Sequence, residues 1–212
     1  AAVYGVPLKT PIPEDHPLNP INPYGATKFM VERMLQDYDR AYGLKYTSLR
    51  YFNAAGADPE GLLGECHQPE THLIPSLLLY FLGKKDDFLV YGQDFPTPDG
   101  TAIRDYIHVT DLARAHVLAL DRLVAQNSSQ IFNLGTNRGY SVLEVIKEAE
   151  KVTGLTRPIK FGPKREGDVP VLLAASEKAE KYLGWKRELS DLKTIIETAW
   201  RWHRRQQLPD KG

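Results

Sequence analysis

A tyrosine and a lysine four positions apart, Tyr24 and Lys28 in "NPYGATKFMVERML", could carry acid–base chemistry. On a helix that spacing puts both side chains on one face, where an ammonium stabilises a phenolate and prepares it as a general base. The same spacing recurs at Tyr80–Lys84 and Tyr182–Lys186, so spacing alone decides nothing. Context separates the three. Gly83 and Gly184 stand as stop signals beside the second and third pairs, at helix ends where the backbone dipole disfavours a phenolate. Tyr24 falls in a first turn, where the dipole favours one.

The elements that must hold this pair follow from the surrounding pattern. "AAVY", ending at Gly5, reads as a short buried strand, and six prolines between Gly5 and Tyr24 then deny both a helix and a central strand. From Tyr24 to Tyr42 the positions Phe29, Met30, Met34, Leu35 and Tyr38 recur at helical spacing, so an amphipathic helix is expected, stopped by Gly43. "KYTSLRYFNAAG" reads as a strand running into a turn of small residues. Further on the pattern predicts a helix around Pro75–Phe81, a strand at "FLVYG" and an extended "AIRDYIHV". A helix from Asp111 to Val124, with Asp111 as its N-cap, a strand at "QIFNLG" and a helix from Ser141 to Thr153 follow. Two more helices are expected after "IKFGPKREGDVPVLLA", capped by Ser176 and by Ser190 or Asp191. Strands alternating with helices give an α/β class with a parallel sheet.

Bulk properties narrow the function. The 212 residues carry 27 basic and 27 acidic side chains, so no field favours nucleic acid or an anionic membrane, and any anion must be gripped by a few placed groups. The longest apolar run, "LIPSLLLYFLG", is about half of what a membrane span needs. The single cysteine, Cys66, suits a reducing compartment and points to the cytoplasm. Cys66, His67 and His72 do not match a usual zinc pattern, and no metal is expected. The arginines of "WRWHRRQQ" read as a solvated helix face.

Five ordered motifs, "PYGATKFMVE" after "AAVYG", then "LRYFNAAGA", "PTPDGTAIRDYIHVTDLA", "IFNLGT" and "REGD", together resemble the UDP-glucose 4-epimerase family of the extended short-chain dehydrogenases. The resemblance runs from Ala1 to about Trp202. It implies a tightly held NAD and interconversion of UDP-glucose and UDP-galactose through transient oxidation at C4 of the sugar. Tyr24 would take the proton of the sugar 4-hydroxyl, while Lys28 would bind the nicotinamide ribose and keep Tyr24 ready as a base. Tyr51 and Phe52 would lie against the nicotinamide, and Asn53 would donate to substrate phosphate. From the residues alone, Tyr51 and Phe52 could equally be core, and Asn53 could serve the backbone.

On the substrate side the resemblance implies that Arg104 and Arg165 grip the diphosphate and Asp168 accepts from the uridine ribose. By sequence alone each arginine could instead sit in a surface ion pair, with Asp105 or Glu166 as partners. Leu89, Val90 and Tyr91 match the strand bordering the uracil, and His72–Leu73 match the pair after the substrate loop, although some relatives carry Asn where His72 stands. Leu172 occupies the position that gates the sugar's 2-substituent; leucine is intermediate there, so N-acetylated sugars stay undecided.

The same resemblance implies a partial Rossmann-type region over 1–53 and 105–140 and a UDP-sugar region over 54–104 and 141–212. The sheet would take "AAVY", "YTSLRYF" and "QIFNLG" as its fifth, sixth and seventh strands. No glycine-rich phosphate loop occurs in the sequence, and the family's catalytic serine or threonine would immediately precede Ala1. The chain alone is therefore expected to expose a sheet edge, to be sticky or partly unfolded, and to be unable to hold NAD tightly. The complete enzyme is expected to be a homodimer built partly on the Tyr24–Tyr42 helix. Two other readings share these residues. One is a nucleotide-sugar dehydratase or decarboxylase, which needs an extra acid near the serine; the other is a non-catalytic homologue that binds UDP-sugars without turnover.

Overall fold

Proline and glycine divide the chain into short elements, and the computed structural model describes them over residues 1–205. Positions 206–212, where the expected tail and the second region end, lie outside the described residues. A 3-10 turn (Ala2–Tyr4) leads through the proline loop to helix α1 (Pro23–Tyr42) and strands β1 (Thr47–Tyr51) and β2 (Asn53–Ala55). Next come α2 (Leu73–Phe81), β3 (Leu89–Tyr91), β4 (Ile103–Arg104), β5 (Tyr106–His108) and α3 (Val109–Gln126). The remainder is β6 (Gln130–Leu134), β7 (Tyr140–Ser141), α4 (Val142–Thr153), β8 (Lys160–Gly162), β9 (Val171–Leu172), α5 (Glu177–Leu183) and α6 (Leu192–Arg205).

Strand pairing is mostly parallel, as an alternation of strands and helices requires. β1 pairs with β6 from Thr47↔Gln130 to Tyr51↔Leu134, and β2 with β5 from Asn53↔Tyr106 to Ala55↔His108. β3 pairs in parallel with β8, while β4 lies between antiparallel β7 and parallel β9. The α/β class holds.

Helices α2, α4 and α6 bury Leu77, Leu78, Val145, Ile195 and Ile196 in one core with Val90 and Tyr106. A second core joins α3 and β6 to α5 through Ala115, Phe132, Leu134, Ala179 and Trp185. A third, small one gathers Val3, Tyr4 and Ile12, with Phe52 and Leu172 packed against it.

Several sequence expectations are corrected. "AAVY" is not a strand: Tyr4 N–H bonds back to Ala1 C=O, and β1 contributes only its Tyr51 carbonyl to the Ala1 ammonium, too little for a ladder. Asp111 does not cap α3. His108 does, its Nδ1 accepting from Thr110 N–H, while the fully buried Asp111 carboxylate accepts from Glu188 and Leu189 N–H and the Ser190 hydroxyl. Ser176 makes no side-chain cap on α5; its hydroxyl donates to Asn137 Oδ1 and accepts from Arg187. Asp191 caps α6 by accepting from Thr194 N–H, and Ser141 closes a reciprocal capping box with Glu144 on α4.

Helix α1 departs furthest from expectation. Its apolar side chains Met30, Met34, Tyr38 and Tyr42 are exposed, and the residues it buries are Gly25 and Glu32. The helix is held by charge instead. Arg50 on β1 donates from Nε to Glu32 Oε1 at 2.7 Å and from Nη2 to Glu32 Oε2 at 2.5 Å, a bidentate pair almost out of water. Arg50 Nη1 also donates to Tyr4 Oη and to the Glu14 carbonyl, and Tyr4 in turn donates to Asn133 on β6. Burial opposes the guanidinium charge, yet the hydrogen bonds to Glu32 and Tyr4 win and raise the Arg50 pKa above its ordinary value.

Candidate active site

Tyr24 and Lys28 are the one Tyr-x-x-x-Lys pair of the three that lies within a single helix. Lys84 falls beyond the end of α2 and Lys186 beyond the end of α5. Tyr80 is buried and donates to the Pro158 carbonyl, and Tyr182 lies under Arg122 and Lys181. In α1, by contrast, Asn22 caps the helix by accepting from Gly25 N–H at 2.8 Å, and Pro23 starts its first turn. Tyr24 is 65% exposed and Lys28 Nζ stands 5.2 Å from its ring centroid.

Gly25 explains why the helix begins here. A Cβ on it would stand 2.5 Å from the Ala2 carbonyl oxygen, so only glycine lets the first turn dock on the 3-10 turn. The proline loop before it is ordered. Ile12 bridges to Ala174, its N–H bonding to Leu173 C=O and its C=O accepting from Ala175 N–H.

Two residues expected on the substrate side, Arg104 and Leu172, are brought together by the β4–β9 pairing. Arg104 is the register partner of Leu172, and its Nη1 donates to the Val169 carbonyl at 2.8 Å. Its Nη2 stands 3.6 Å from Asp168 Oδ1, so its carboxylate partner is Asp168 rather than Asp105. Burial pulls the Arg104 pKa down while Asp168 opposes the shift. Asp105 is fully buried and accepts instead from Thr136 and Ala174, with burial raising its pKa. Arg165 is not paired through Glu166; its guanidinium lies 3.8 Å from the Tyr91 ring centroid, stacked over the face.

Asp168 N–H bonds to Arg165 C=O, making one turn of residues 165–168. A Cβ on Gly167 within it would meet Ile21 Cδ1 at 3.5 Å. The turn bearing Arg165 and Asp168 therefore abuts the residue just before the Asn22 cap, three positions from Tyr24. Leu172 and Phe52 both pack against the third core, and Leu172 is the register partner of Arg104, whose guanidinium faces Asp168. Tyr51 is 41% exposed beside His116, and Val90 is buried between half-buried Leu89 and Tyr91. Asn53 spends one amide N–H on the Asp105 carbonyl. His72 is engaged elsewhere, against Glu65 and His67, and Leu73 packs on the first core.

What the sequence reading missed is the polar support. The Glu32–Arg50–Tyr4–Asn133 chain fixes α1 to β1 and β6, and a glutamate at an inward helix position was its one available signal.

This arrangement, a capped Tyr–Lys helix beside parallel strands, belongs to the dehydrogenase-like α/β proteins, and comparison makes the class definite. Residues 1–135 match the NAD dependent epimerase/dehydratase family, and the chain belongs to it. Among known proteins it is 52% identical over 204 residues to UDP-glucose 4-epimerase of Lactobacillus helveticus, covering 96% of this chain and 62% of that relative. Its fold matches the crystal structure of UDP-glucose 4-epimerase from Brucella ovis in complex with NAD, at 53% identity and TM-score 0.91 over 94% of this chain and 61% of that one. The Bifidobacterium longum UDP-glucose 4-epimerase in complex with NAD+ and UDP matches at 41% identity and TM-score 0.92, over 98% of this chain and 62% of that one. The chain thus spans about three fifths of the length of these relatives.

Proposed function

We propose that the complete protein interconverts UDP-glucose and UDP-galactose, and that this chain supplies its proton-transfer pair and most of its UDP-sugar site. The carrying observation is Tyr24 in the capped first turn with Lys28 one turn on, both solvent-facing, and the Arg165–Asp168 turn against Ile21. The donor set suits the nicotinamide end of NAD: Lys28 offers an ammonium to ribose hydroxyls, and Tyr51 and Phe52 offer ring faces. NAD, when bound, supplies the reversible hydride acceptor for C4 of the sugar.

Tyr24, as phenolate, accepts the proton of the sugar 4-hydroxyl as hydride leaves C4, and returns it when hydride comes back on the opposite face. Lys28 stabilises the phenolate in that interval. Arg104, held between Asp168 and the Val169 carbonyl, and Arg165, stacked on Tyr91, meet the diphosphate. Asn53 donates its remaining amide hydrogen to phosphate, Asp168 accepts from the uridine ribose, and Leu89, Val90 and Tyr91 border the uracil. His72 and Leu73 close the substrate loop, and Leu172 sets the space for the 2-substituent. The regions 1–53 with 105–140 and 54–104 with 141–212 serve cofactor and sugar nucleotide respectively. The exposed apolar stripe of α1 suits a second copy in a homodimer. No helix among the described residues is long and apolar enough to cross a membrane. The single cysteine supports a cytoplasmic location, and the reaction proposed would place the enzyme in galactose metabolism.

The test is Tyr24→Phe in the complete protein. Turnover of UDP-galactose should fall roughly 10³-fold, with UDP binding changed little. A variant that keeps a near-normal rate overturns the assignment. Relative rates on UDP-galactose and UDP-N-acetylgalactosamine then report how Leu172 sorts sugars.

A further inference from the structure

The loop between β2 and α2 carries a second cluster, of which only His72 belongs to the proposed UDP-sugar site. Glu65, His67, Glu70 and His72, spaced as Glu-x-His-x-x-Glu-x-His, bring one ligand atom each within 4.8 Å of one another. His67 Nδ1 stands 2.9 Å from Glu65 Oε1 and 3.6 Å from Glu70 Oε2, His72 Nδ1 contacts the same Glu65 oxygen, and the two imidazoles meet edge to face at 5.2 Å. Cys66 is exposed and is not among the four clustered groups.

A second observation singles out Glu70. Its side chain is 95% buried, being 5% exposed, and Oε2 has no hydrogen-bond partner among the described residues, although it faces this cluster. A buried carboxylate oxygen without a donor is costly, and His67 at 3.6 Å is beyond hydrogen-bond reach. A cation between the four groups would satisfy it.

We propose that Glu65, His67, Glu70 and His72 bind one divalent first-row transition ion, with Zn2+ the ion that two imidazoles and two carboxylates suit best. Two carboxylates cancel the ion's charge, and imidazole nitrogen disfavours Mg2+ and Ca2+, which take oxygen. Tetrahedral zinc needs ligand atoms about 3.3 Å apart, so on binding the widest separation closes by about 1.5 Å while the Glu65 contacts to His67 and His72 open to admit the ion. The ion would clamp a loop already tied to α6, where Trp202 Nε1 donates to Glu65 C=O at 2.9 Å and Arg205 donates to the Glu60 and Gly61 carbonyls. The anchored segment ends at His72, the N-cap residue of α2.

Competition titration of the chelator-stripped 212-residue chain with Zn2+ against a chromophoric chelator tests this. One equivalent should bind more tightly than micromolar, unaffected by excess Mg2+, and should raise the unfolding temperature. His67→Gln and His72→Gln should each weaken binding beyond the roughly 10–100-fold that loss of an outer-shell partner costs, and abolish the thermal gain. Cys66→Ser should bind like the parent. His67 is largely exposed, so His67→Gln keeps the fold, and its circular dichroism verifies that. Sub-stoichiometric Zn2+, equal affinity in all variants, or loss of binding in Cys66→Ser each overturns the site and leaves an ion-pair cluster.

Discussion

Helices α1 and α6 solve the same problem by opposite means. α6 buries Leu192, Ile195, Ile196 and Ala199 against α2 and α4, so its position is set by apolar area. α1 buries Gly25 and Glu32 and leaves Met30, Met34 and Tyr38 in solvent, so its position is set by one bidentate ion pair and one close backbone approach. The helix with the candidate base is placed by directional bonds, which fix rotation as well as distance. Helix α6 is placed by non-directional packing.

Breaking the ion pair should have the largest effect on the fold. Glu32→Ala leaves the Arg50 guanidinium buried and unpaired, a loss of about 3–5 kcal/mol by denaturant unfolding. An apolar pair of similar volume, Glu32→Met with Arg50→Met, should recover most of it. If Glu32→Ala costs less than about 1 kcal/mol, α1 is not held this way. The matching cut in α6, Ile195→Ala, should lose about 2–5 kcal/mol by transfer and cavity terms, with no such rescue by a second polar change.

His108 sharpens the contrast between buried polar groups, because it joins the start of α3 to α6. Its Nδ1 accepts from Thr110 N–H, so the ring proton sits on Nε2 and points to Thr198 Oγ1 at 3.1 Å on α6. Gly56, at φ +84°, passes so close that a Cβ would stand 2.6 Å from His108 Cδ2. Burial lowers the His108 pKa, with Asp111 opposing. In the unfolded chain the ring takes up a proton near pH 6.5, before the folded ring does, so its contribution is full above that pH and is lost as pH falls below it. Unfolding free energy should therefore drop between pH 7.5 and pH 5.5, and His108→Gln should flatten the drop. An equal drop in the variant would place the titration elsewhere.

How far the sequence was legible depended on the kind of force involved. Helices with apolar faces were visible from periodicity, and α2 and α4 fall within two residues of their expected starts. The parallel class followed from strand–helix alternation, and the family resemblance implied the neighbouring places of "YTSLRYF" and "QIFNLG", which pair in parallel. "AAVY" failed because four apolar residues look alike as a strand or a buried turn until their backbone partners are known. Asp111 failed because a carboxylate before an apolar run resembles a cap, whereas its partners lie some 77 residues away, at Glu188. The same limit hid the Glu65–His72 cluster, whose donors come together only through the path of the loop, and the Glu32–Arg50 pair, where a charge occupies a core position.

The smallest expected effect tests the exposed face of α1. Met34 is 57% exposed and makes no core contact, so Met34→Gln should change the stability of this chain by no more than about 0.5 kcal/mol. The same stripe is the surface proposed for a second copy, and there the substitution places an amide where an apolar contact is needed. In the complete protein, sedimentation velocity should then show Met34→Gln shifting dimer towards monomer, while the isolated chain melts as before. A loss of stability in the isolated chain would mean that the apolar face of α1 is already covered, and that the two helices are not the opposites their burial makes them.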